Sequence, residues 1–180
     1  MPKIILVSGK AQHGKDAFSE RLRKELAKKG KSVHVVHYAD ALKGIAEYFY
    51  GWDGEKDKKG RSLLQRLGTE NGRKVNENFW VEMLANILKL EPFCSSDYLI
   101  ISDCRFPNEI NYWDSSDYPH YSVRMTRLNF SSNLTEEQKN HPSETALDNY
   151  SFDFEVETES LNETYHAAKL FSQMLIKGDL

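Results

Sequence analysis

The fold is decided by one stretch near the N terminus, which reads Lys3-Ile4-Ile5-Leu6-Val7-Ser8-Gly9-Lys10-Ala11-Gln12-His13-Gly14-Lys15-Asp16. Its apolar first part predicts a buried strand over Lys3–Val7. Its second part matches the pattern G-x-x-x-x-G-K of a phosphate-binding loop, in which glycines let backbone N–H groups point at an anion. A helical pattern, with apolar residues spaced by four, then runs from Gly14 towards Lys29. Strand, loop and helix therefore occur in the order that a phosphate loop requires.

The loop residues are all candidates for ATP binding, namely Gly9, Lys10, Ala11, Gln12, His13, Gly14, Lys15 and Asp16. The positive N-terminal end of the following helix favours an anion there. We expect Lys15 to bridge the outer phosphates and to act in catalysis. Asp16 stands where Ser or Thr is usual, and we interpret it as a catalytic residue that binds Mg²⁺ directly or through water. The alternative is that Asp16 only caps the helix, where a carboxylate is favourable.

The rest of the chain alternates strands and helices around a few loops. Strands are predicted over Ser32–His37, Tyr98–Asp103, Tyr121–Leu128 and Asp153–Val156, helices over Ala41–Tyr50, Arg61–Lys74, Phe79–Leu90 and Leu161–Ile176, and a charged loop over Trp52–Gly60. The first strand, its helix and the second strand form a βαβ unit, which is typical of parallel sheets. We therefore predict one α/β domain over residues 1–180.

Asp103 is the second acidic candidate, because it ends an apolar strand. Ligands of parallel α/β sheets collect at the carboxyl ends of strands. We interpret Asp103 as a catalytic residue that holds the water shell of Mg²⁺ or orients the acceptor. The alternative is that it caps the segment that follows.

Composition excludes several classes of protein. With 39% hydrophobic and 28% charged residues, the 180-residue chain is typical of a folded globular protein. A net charge of -3 argues against binding to a nucleic acid polymer or to a membrane surface. The apolar run Ile4–Val7 is too short for a signal peptide or a membrane span, so we predict a cytoplasmic protein. Cys94 and Cys104 fit neither a zinc pair nor a redox motif. The oligomeric state is open, with a homodimer as one option.

Five blocks, in this order, resemble those of the phage-type deoxynucleoside monophosphate kinases and span nearly the whole chain. They are Ser8–Asp16, Tyr38–Lys43, Leu63–Glu70 with Arg73 and Phe79–Val81, Ile101–Glu109, and His141–Glu144 with Leu147-Asp148. The resemblance implies the three-layer P-loop kinase fold with a parallel sheet and transfer of the ATP γ-phosphate to a deoxynucleoside 5'-monophosphate. It also implies helices of an acceptor site over about residues 40–90 and a lid over about residues 128–145. A phage-encoded protein of this kind would act in the host cytoplasm.

The acceptor-site candidates are Asp40, Lys43, Arg66, Glu70, Arg73, Trp80 and Arg105. Phosphoryl transfer aligns two anions and neutralises developing charge, so cationic side chains are expected. Arg66, Glu70 and Arg73 would share one face of a helix. Their spacing alone favours an ordinary surface salt-bridge ladder, whereas the resemblance implies that Arg66 contacts the acceptor phosphate. Trp80 could stack on a base or pack in the core. Arg105 could clamp a phosphate or form an ion pair with Asp103 or Glu109.

The lid prediction rests on the polar segment Asn129–His141, which Arg124 and Arg127 precede. Lids close over ATP, exclude water and bring an arginine to the transferring phosphoryl group. We interpret Arg127 as that catalytic arginine, and the alternative is a solvated loop arginine. For His141, Ser143, Glu144 and Asp148 the sequence indicates no physical role.

Three alternatives stay open on the sequence. Phosphomevalonate kinase of the animal type is a more distant resemblance, carried by the Gly-Lys-Asp loop, Ser102-Asp103-Cys104-Arg105 and Leu147-Asp148-Asn149. A nucleotide-binding switch would need a DxxG after a strand and an NKxD motif, but Asp57-Lys58-Lys59-Gly60 follows no apolar strand and Asn-Lys does not occur. A catalytically silent binding protein is the third, and the presence of Lys15 argues weakly against it.

Overall fold

The computed structural model describes residues 1–55 and 57–178, with the side chains of residues 69–71 left outside the description. Within these residues the strands are β1 (Lys3–Ser8), β2 (Val33–Val36), β3 (Tyr98–Cys104), β4 (His120–Arg127) and β5 (Phe154–Thr158). The α-helices are α1 (Lys15–Ala27), α2 (Tyr38–Tyr50), α3 (Lys58–Gln65), α4 (Phe79–Ile87), α5 (Pro107–Asn111), α6 (Glu136–Lys139), α7 (Pro142–Thr145) and α8 (Leu161–Lys177). A π-helical segment, Arg66–Arg73, follows α3, and a 3₁₀ turn, Tyr112–Ser115, follows α5.

The strands form one sheet in the order β2-β3-β1-β4-β5, and every neighbouring pair is parallel. This confirms the predicted α/β fold with a parallel sheet. The central strand β1 pairs with β3 on one side and with β4 on the other. At its carboxyl end Ser8 lies opposite Cys104 of β3 and Arg124 of β4. The residues that follow β1 and β3 and the last residues of β4 therefore meet at one edge of the sheet.

Alternate residues of β1 bury themselves in two cores on opposite faces of the sheet. Ile5 and Val7 pack with residues of α1 and α8, including Phe18, Leu22, Phe171 and Leu175. Ile4 and Leu6 pack with residues of α2, α4 and α5, including Tyr38, Val81, Leu84 and Ile110. The result is a three-layer arrangement of helices, sheet and helices. Among the described residues, none of the helices has the length and apolar character needed to cross a membrane.

Helix α2 begins at Tyr38, three residues before the predicted start at Ala41. The two carboxylate oxygens of Asp103 accept hydrogen bonds from the backbone N–H groups of Tyr38 and Ala39, at 2.8 and 3.0 Å. These N–H groups have no partner inside the helix, so a carboxylate from another strand stabilises the first turn. A cap that comes from 65 residues away leaves no local signal in the sequence.

The prediction of one α-helix over Arg61–Lys74 is wrong in two respects. The helix starts earlier, at Lys58, because the Asp57 side chain accepts a hydrogen bond from the Gly60 N–H at 2.7 Å. From Arg66 onward the chain winds as a π-helix. There the indole N–H of Trp80 donates to the Gly68 carbonyl at 2.9 Å. A side chain that takes a carbonyl from the helical ladder is a known cause of local rewinding.

The polar segment predicted as a lid contains two single-turn helices. Thr135 caps α6 and His141 caps α7, whose first residue is a proline. The chain beyond α7 returns to the core, since Leu147 is 3% exposed. The segment before Leu147 is therefore tied to the body at both ends, by β4 and by this leucine.

Candidate functional site

The loop between β1 and α1 has the backbone of an anion cradle. Gly9, Gln12 and Gly14 all have positive φ, and Gly14 immediately precedes α1. A Cβ at Gly9 would lie 2.6 Å from the carbonyl oxygen of Met125 in β4, so a side chain has no room there. The glycine pattern thus reflects both the turn and a close approach to the neighbouring strand.

Lys15 is buried beneath this loop, with 8% of its surface exposed. Its ammonium donates a hydrogen bond to the Lys10 carbonyl oxygen at 2.9 Å. Burial and, to a smaller degree, the nearby positive charge of Arg105 together lower the pKa of Lys15 to about 8, while Asp16 opposes the shift. An incoming phosphate would stabilise this buried ammonium, because its negative charge compensates for the solvation that burial has removed.

Arg105 brings a second cation to the loop from the end of β3. Its Nη1 donates to the Gly9 carbonyl at 3.1 Å, to the Ser143 carbonyl at 3.4 Å and to the Glu144 carboxylate at 2.7 Å. The sequence favoured Asp103 or Glu109 as ion-pair partners if Arg105 was structural. The structure corrects that expectation, because the guanidinium pairs with Glu144 and only the backbone N–H of Arg105 reaches Glu109.

Arg124 and Lys10 bring further positive charge to the same edge of the sheet. Arg124 donates to the Ser8 hydroxyl at 3.1 Å and to Asp148 at 3.3 Å. Lys10 donates to the other carboxylate oxygen of Asp148 at 2.9 Å. Four cationic side chains therefore surround the loop, and the carboxylates of Glu144 and Asp148 partly balance them.

Glu144 also contacts the loop directly, because one of its oxygens accepts the Ala11 N–H at 2.8 Å. The sequence indicated no physical role for the candidates within residues 141–148, and the contacts of Glu144 and Asp148 explain why. Each of the partners of Glu144 and Asp148 is distant in the chain, 24 to 138 residues away. The only signal that could have found them is their position in a block that the resemblance singled out.

The two carboxylates predicted to bind Mg²⁺ have different surroundings. Asp16 is exposed in the first turn of α1, beside Lys15. Asp103 has both oxygens on the N–H groups that start α2. Burial raises the pKa of Asp103, although those hydrogen bonds and the charge of His37 oppose the shift. These contacts favour a capping role for Asp103 and leave Asp16 as the better placed metal ligand. Among the described residues, no group of three or more His, Cys, Asp or Glu side chains could hold a metal ion by itself.

The base of the predicted lid rests on the phosphate loop. Nδ1 of His13 accepts the backbone N–H of Arg127 at 3.1 Å, and Oε1 of Gln12 accepts the N–H of Asn133 at 3.4 Å. Burial lowers the pKa of His13, and the charge of Lys15 lowers it further, so the ring is neutral as this hydrogen bond requires. The guanidinium of Arg127 lies 4.2 Å from the centre of the Phe130 ring. Its catalytic role stays a prediction.

Asp40 and Lys43, two of the acceptor-site candidates, form a local cluster with His37 at the start of α2. Asp40 accepts hydrogen bonds from Nδ1 of His37 and from the Lys43 ammonium, both at 3.0 Å. Burial would raise the pKa of Asp40, but these hydrogen bonds outweigh it and lower the pKa to about 2. The same contact with Asp40 raises the pKa of His37. This cluster lies beside Asp103, which also interacts with His37.

Arg66 and Arg73, two of the three residues expected to share one helix face, do not do so. Arg73 points into the body, where it pairs with the buried Glu109 and lies 4.0 Å above the Phe106 ring. Burial raises the pKa of Glu109 to about 6 in spite of that pair. Arg66 is exposed, and the side chain of Glu70 lies outside the described residues. The π-helical winding explains the divergence, since its i→i+5 bonds shift each side chain relative to an α-helix.

Trp80 is 6% exposed and fills the space beside Gly68 and Gly72. A Cβ at Gly72 would lie 2.7 Å from its indole nitrogen. The burial favours a packing role for Trp80 over base stacking.

No protein-family model matches the chain. It is 29% identical over 146 residues to the uncharacterized protein ORF77 of Ictalurid herpesvirus 1, a match that covers 81% of this chain and 59% of the viral protein. The chain thus spans less than two thirds of that relative's length.

Three of the solved structures with a similar fold are kinases of low sequence identity to this chain. A sugar kinase from a Janibacter species has a TM-score of 0.52 at 11% identity, covering 98% of this chain and 95% of the other. The APS kinase CysC of Mycobacterium tuberculosis has a TM-score of 0.50 at 11% identity, covering 96% of both chains. A candidate kinase from Chloroflexus aurantiacus has a TM-score of 0.53 at 15% identity, covering 98% and 97%. The chain has the three-layer α/β fold of P-loop kinases.

Proposed function

We propose that the protein transfers the γ-phosphoryl group of ATP to a deoxynucleoside 5'-monophosphate, giving ADP and a deoxynucleoside diphosphate. The observation that carries this proposal is the loop Gly9–Lys15 with Lys15 and Arg105 beside it, in a P-loop kinase fold. The acceptor part of the proposal rests on the resemblance to the deoxynucleoside monophosphate kinases, which spans nearly the whole chain.

The contacts within the loop support the binding of the ATP phosphates there. One of its backbone N–H groups, that of Ala11, already donates to an anionic oxygen, which belongs to Glu144. A carboxylate oxygen presents to this N–H the same kind of acceptor as a phosphate oxygen does. The positive φ values at Gly9 and Gly14 and the helix start at Lys15 complete an anion-binding arrangement.

Magnesium fits the site through Asp16 and the nucleotide together. Mg²⁺ retains several waters and commonly takes one or two carboxylates with substrate phosphates, so a dedicated cluster of protein ligands is not needed. Asp16 lies one residue after Lys15 and is exposed to solvent. When bound, the metal would neutralise charge on the outer phosphates. Asp103 would not bind the metal itself in this proposal, and would instead stabilise the start of α2.

The side chains have distinct tasks in this proposal. Lys15 and Arg105 bind and orient the outer phosphates, because both ammonium and guanidinium lie against the loop. Arg124 holds Ser8 at the end of β1 and so supports the loop from the β4 side. Arg127, at the base of the lid, would reach the transferring group on lid closure. The exposed Arg66 would bind the acceptor phosphate, which bears two negative charges near neutral pH.

An ADP-release assay with Mg-ATP tests the proposal. Separate reactions contain dTMP, dGMP, dCMP, dAMP, the corresponding ribonucleotides or phosphomevalonate, and the Lys15→Met variant serves as the control for contaminating activity. Turnover with one or more deoxynucleotides, absent in the variant, supports the proposal. Turnover with phosphomevalonate alone would move the acceptor to an isoprenoid phosphate while keeping the kinase mechanism. Silence with every acceptor, despite ATP binding, would contradict phosphoryl transfer.

A further inference from the structure

We propose that the Glu144 carboxylate occupies an anion-binding position of the phosphate loop in the nucleotide-free protein, and that a phosphate of the nucleotide displaces it. The inference rests on the proposed function in one respect, the binding of a nucleotide at this loop. It adds a competing internal anion, which sets the apparent affinity of the loop for phosphate.

The contacts of Glu144 are those that a phosphate would make. One oxygen lies 2.8 Å from the backbone nitrogen of Ala11, inside the Gly-rich loop. The other lies 2.7 Å from Nη1 of Arg105, the guanidinium that also donates to the Gly9 carbonyl. The Glu144 side chain is only 10% exposed, so its carboxylate lies within the anion-binding position of the loop and not in the solvent above it.

Charge makes simultaneous occupancy unfavourable. A phosphate and a carboxylate in contact repel one another strongly in a partly buried site, where solvent screens charges weakly. Both anions also compete for Arg105 and for the Ala11 N–H, which has a single proton to donate. The carboxylate must therefore turn away when a phosphate binds in its place.

The surroundings of Glu144 allow such a movement. It lies in α7, a helix of four residues, Pro142–Thr145, which is too short to be stable without tertiary contacts. Three residues later, Leu147 is buried and fixes the chain to the core. A change confined to the side chain of Glu144 and to α7 therefore releases the carboxylate while the rest of the body stays in place.

Asp148 makes a different kind of contact and is not part of the inference. It pairs with Lys10 and Arg124 at the rim of the site and its side chain is 36% exposed. No backbone N–H of the loop donates to it among the contacts of the described residues. Its two cations can turn to a phosphate without the departure of the aspartate.

The test compares binding of Mg-ATP and of inorganic triphosphate to the wild-type protein and to Glu144→Gln, by titration calorimetry. The glutamine keeps the size of the side chain and removes its charge, and hydrogen bonds to a charged group are about twice as strong as neutral ones. We expect the variant to bind both ligands about tenfold more tightly, because the competing state is weakened. Glu157→Gln is the matched control, since Glu157 is an exposed glutamate of β5, outside the predicted lid, with the same charge. Its affinities should equal those of the wild type.

A second measurement reports on the loop itself. In amide NMR spectra of the nucleotide-free protein, the Ala11 resonance should shift in Glu144→Gln, and inorganic triphosphate should abolish the difference between the two proteins. Thermal melting confirms that both variants are folded before binding is compared.

The outcomes separate this inference from the proposed function. Unchanged or weaker binding by Glu144→Gln, with good binding by the wild type, overturns the inference alone and makes Glu144 a ligand-supporting residue. Absence of binding in all three proteins overturns both. Tighter binding in Glu157→Gln as well as in Glu144→Gln would mean that overall charge, and not the Ala11 contact, governs affinity, which also overturns the inference.

Discussion

Lys15 and Arg105 donate hydrogen bonds to consecutive carbonyl oxygens of one loop, those of Lys10 and Gly9, at 2.9 and 3.1 Å. The two cations come from different elements, the start of α1 and the end of β3. Burial of Lys15, and after it the nearby charge of Arg105, lower the pKa of Lys15 to about 8. Positive charges placed against neutral carbonyl groups lower the free energy of unfolding. An anion that binds to these charges raises it again.

The first prediction concerns Lys15→Met. The variant should lose phosphoryl transfer, since it lacks the cation for the outer phosphates. It should also unfold at a temperature about 2–4 °C higher at pH 7, because removing a buried charge relieves about 1 kcal/mol or more. Differential scanning calorimetry without ligand, alongside the ADP-release assay, measures both effects.

The pH dependence of the stability difference between the wild type and Lys15→Met tests whether the lowered pKa of Lys15 causes it. The folded-state pKa of Lys15 is about 8 and its unfolded value is 10.5, so the folded protein binds fewer protons between these two values. Wild-type stability therefore rises relative to the variant as the pH increases from 8 towards 10.5. A stability difference that stays constant over this range would contradict the lowered pKa.

The second prediction separates the two acidic residues. Asp103→Ala removes the cap of α2 and should cost about 0.5–2 kcal/mol of stability. Asp16→Ala should leave the melting temperature nearly unchanged, because the side chain is exposed. It should instead raise the Mg²⁺ concentration needed for half-maximal velocity. Calorimetry and magnesium titrations of both variants measure the split, and a shared magnesium effect would assign Asp103 to the metal.

The third prediction is that His13 couples the segment predicted as a lid to the phosphate loop in a pH-dependent manner. Its neutral Nδ1 accepts the Arg127 N–H, and its folded-state pKa lies below the unfolded value of 6.5. The contribution is therefore complete above pH 6.5 and is lost as the pH falls through the lowered folded pKa.

We expect His13→Ala to cost about 1 kcal/mol of stability at pH 7.5 and clearly less at pH 5. Urea unfolding at the two pH values measures the difference. The matched control is His166→Ala on α8, which removes an exposed histidine. An equal cost at both pH values would show that the hydrogen bond does not depend on the charge state of His13.

The fourth prediction concerns the acceptor. Arg66→Ala should raise the KM for the deoxynucleotide about tenfold or more while the KM for ATP changes little, because a charged hydrogen bond to one substrate only is lost. Initial-rate kinetics with each substrate varied in turn measure the two values. Arg23→Ala, which removes a surface arginine paired with Glu20 on α1, is the control. Equal losses for both substrates would count against Arg66 as the acceptor contact.

The local sequence pattern was sufficient to predict the phosphate loop and the elements around it. The strand Lys3–Ser8, the glycine loop and the helix from Lys15 follow from apolar spacing and the phosphate-loop pattern, and β3 and β4 lie within one residue of their predicted bounds. These elements are set by short-range periodicity, which a single sequence displays. The parallel sheet followed from the βαβ unit.

Contacts between residues that are distant in the chain could not be predicted from the sequence. The early start of α2 depends on Asp103, and the π-helix depends on Trp80 beside Gly68. The pairing of Arg105 with Glu144 joins residues 39 positions apart that no periodicity relates. In each case the deciding partner is a side chain brought close only by the tertiary fold, so local preference could not indicate it.

The central place of β1 in the sheet has a consequence for how this protein is made. Both strands that flank the glycine loop, β3 and β4, come from about 95 and 116 residues later in the chain. The loop is synthesised before β3 and β4, so its neighbouring strands are absent until the chain has been extended through them. Such long-range closure is slow compared with helix formation. We therefore expect a chain that ends before about residue 127 to lack the nucleotide binding proposed for the complete loop.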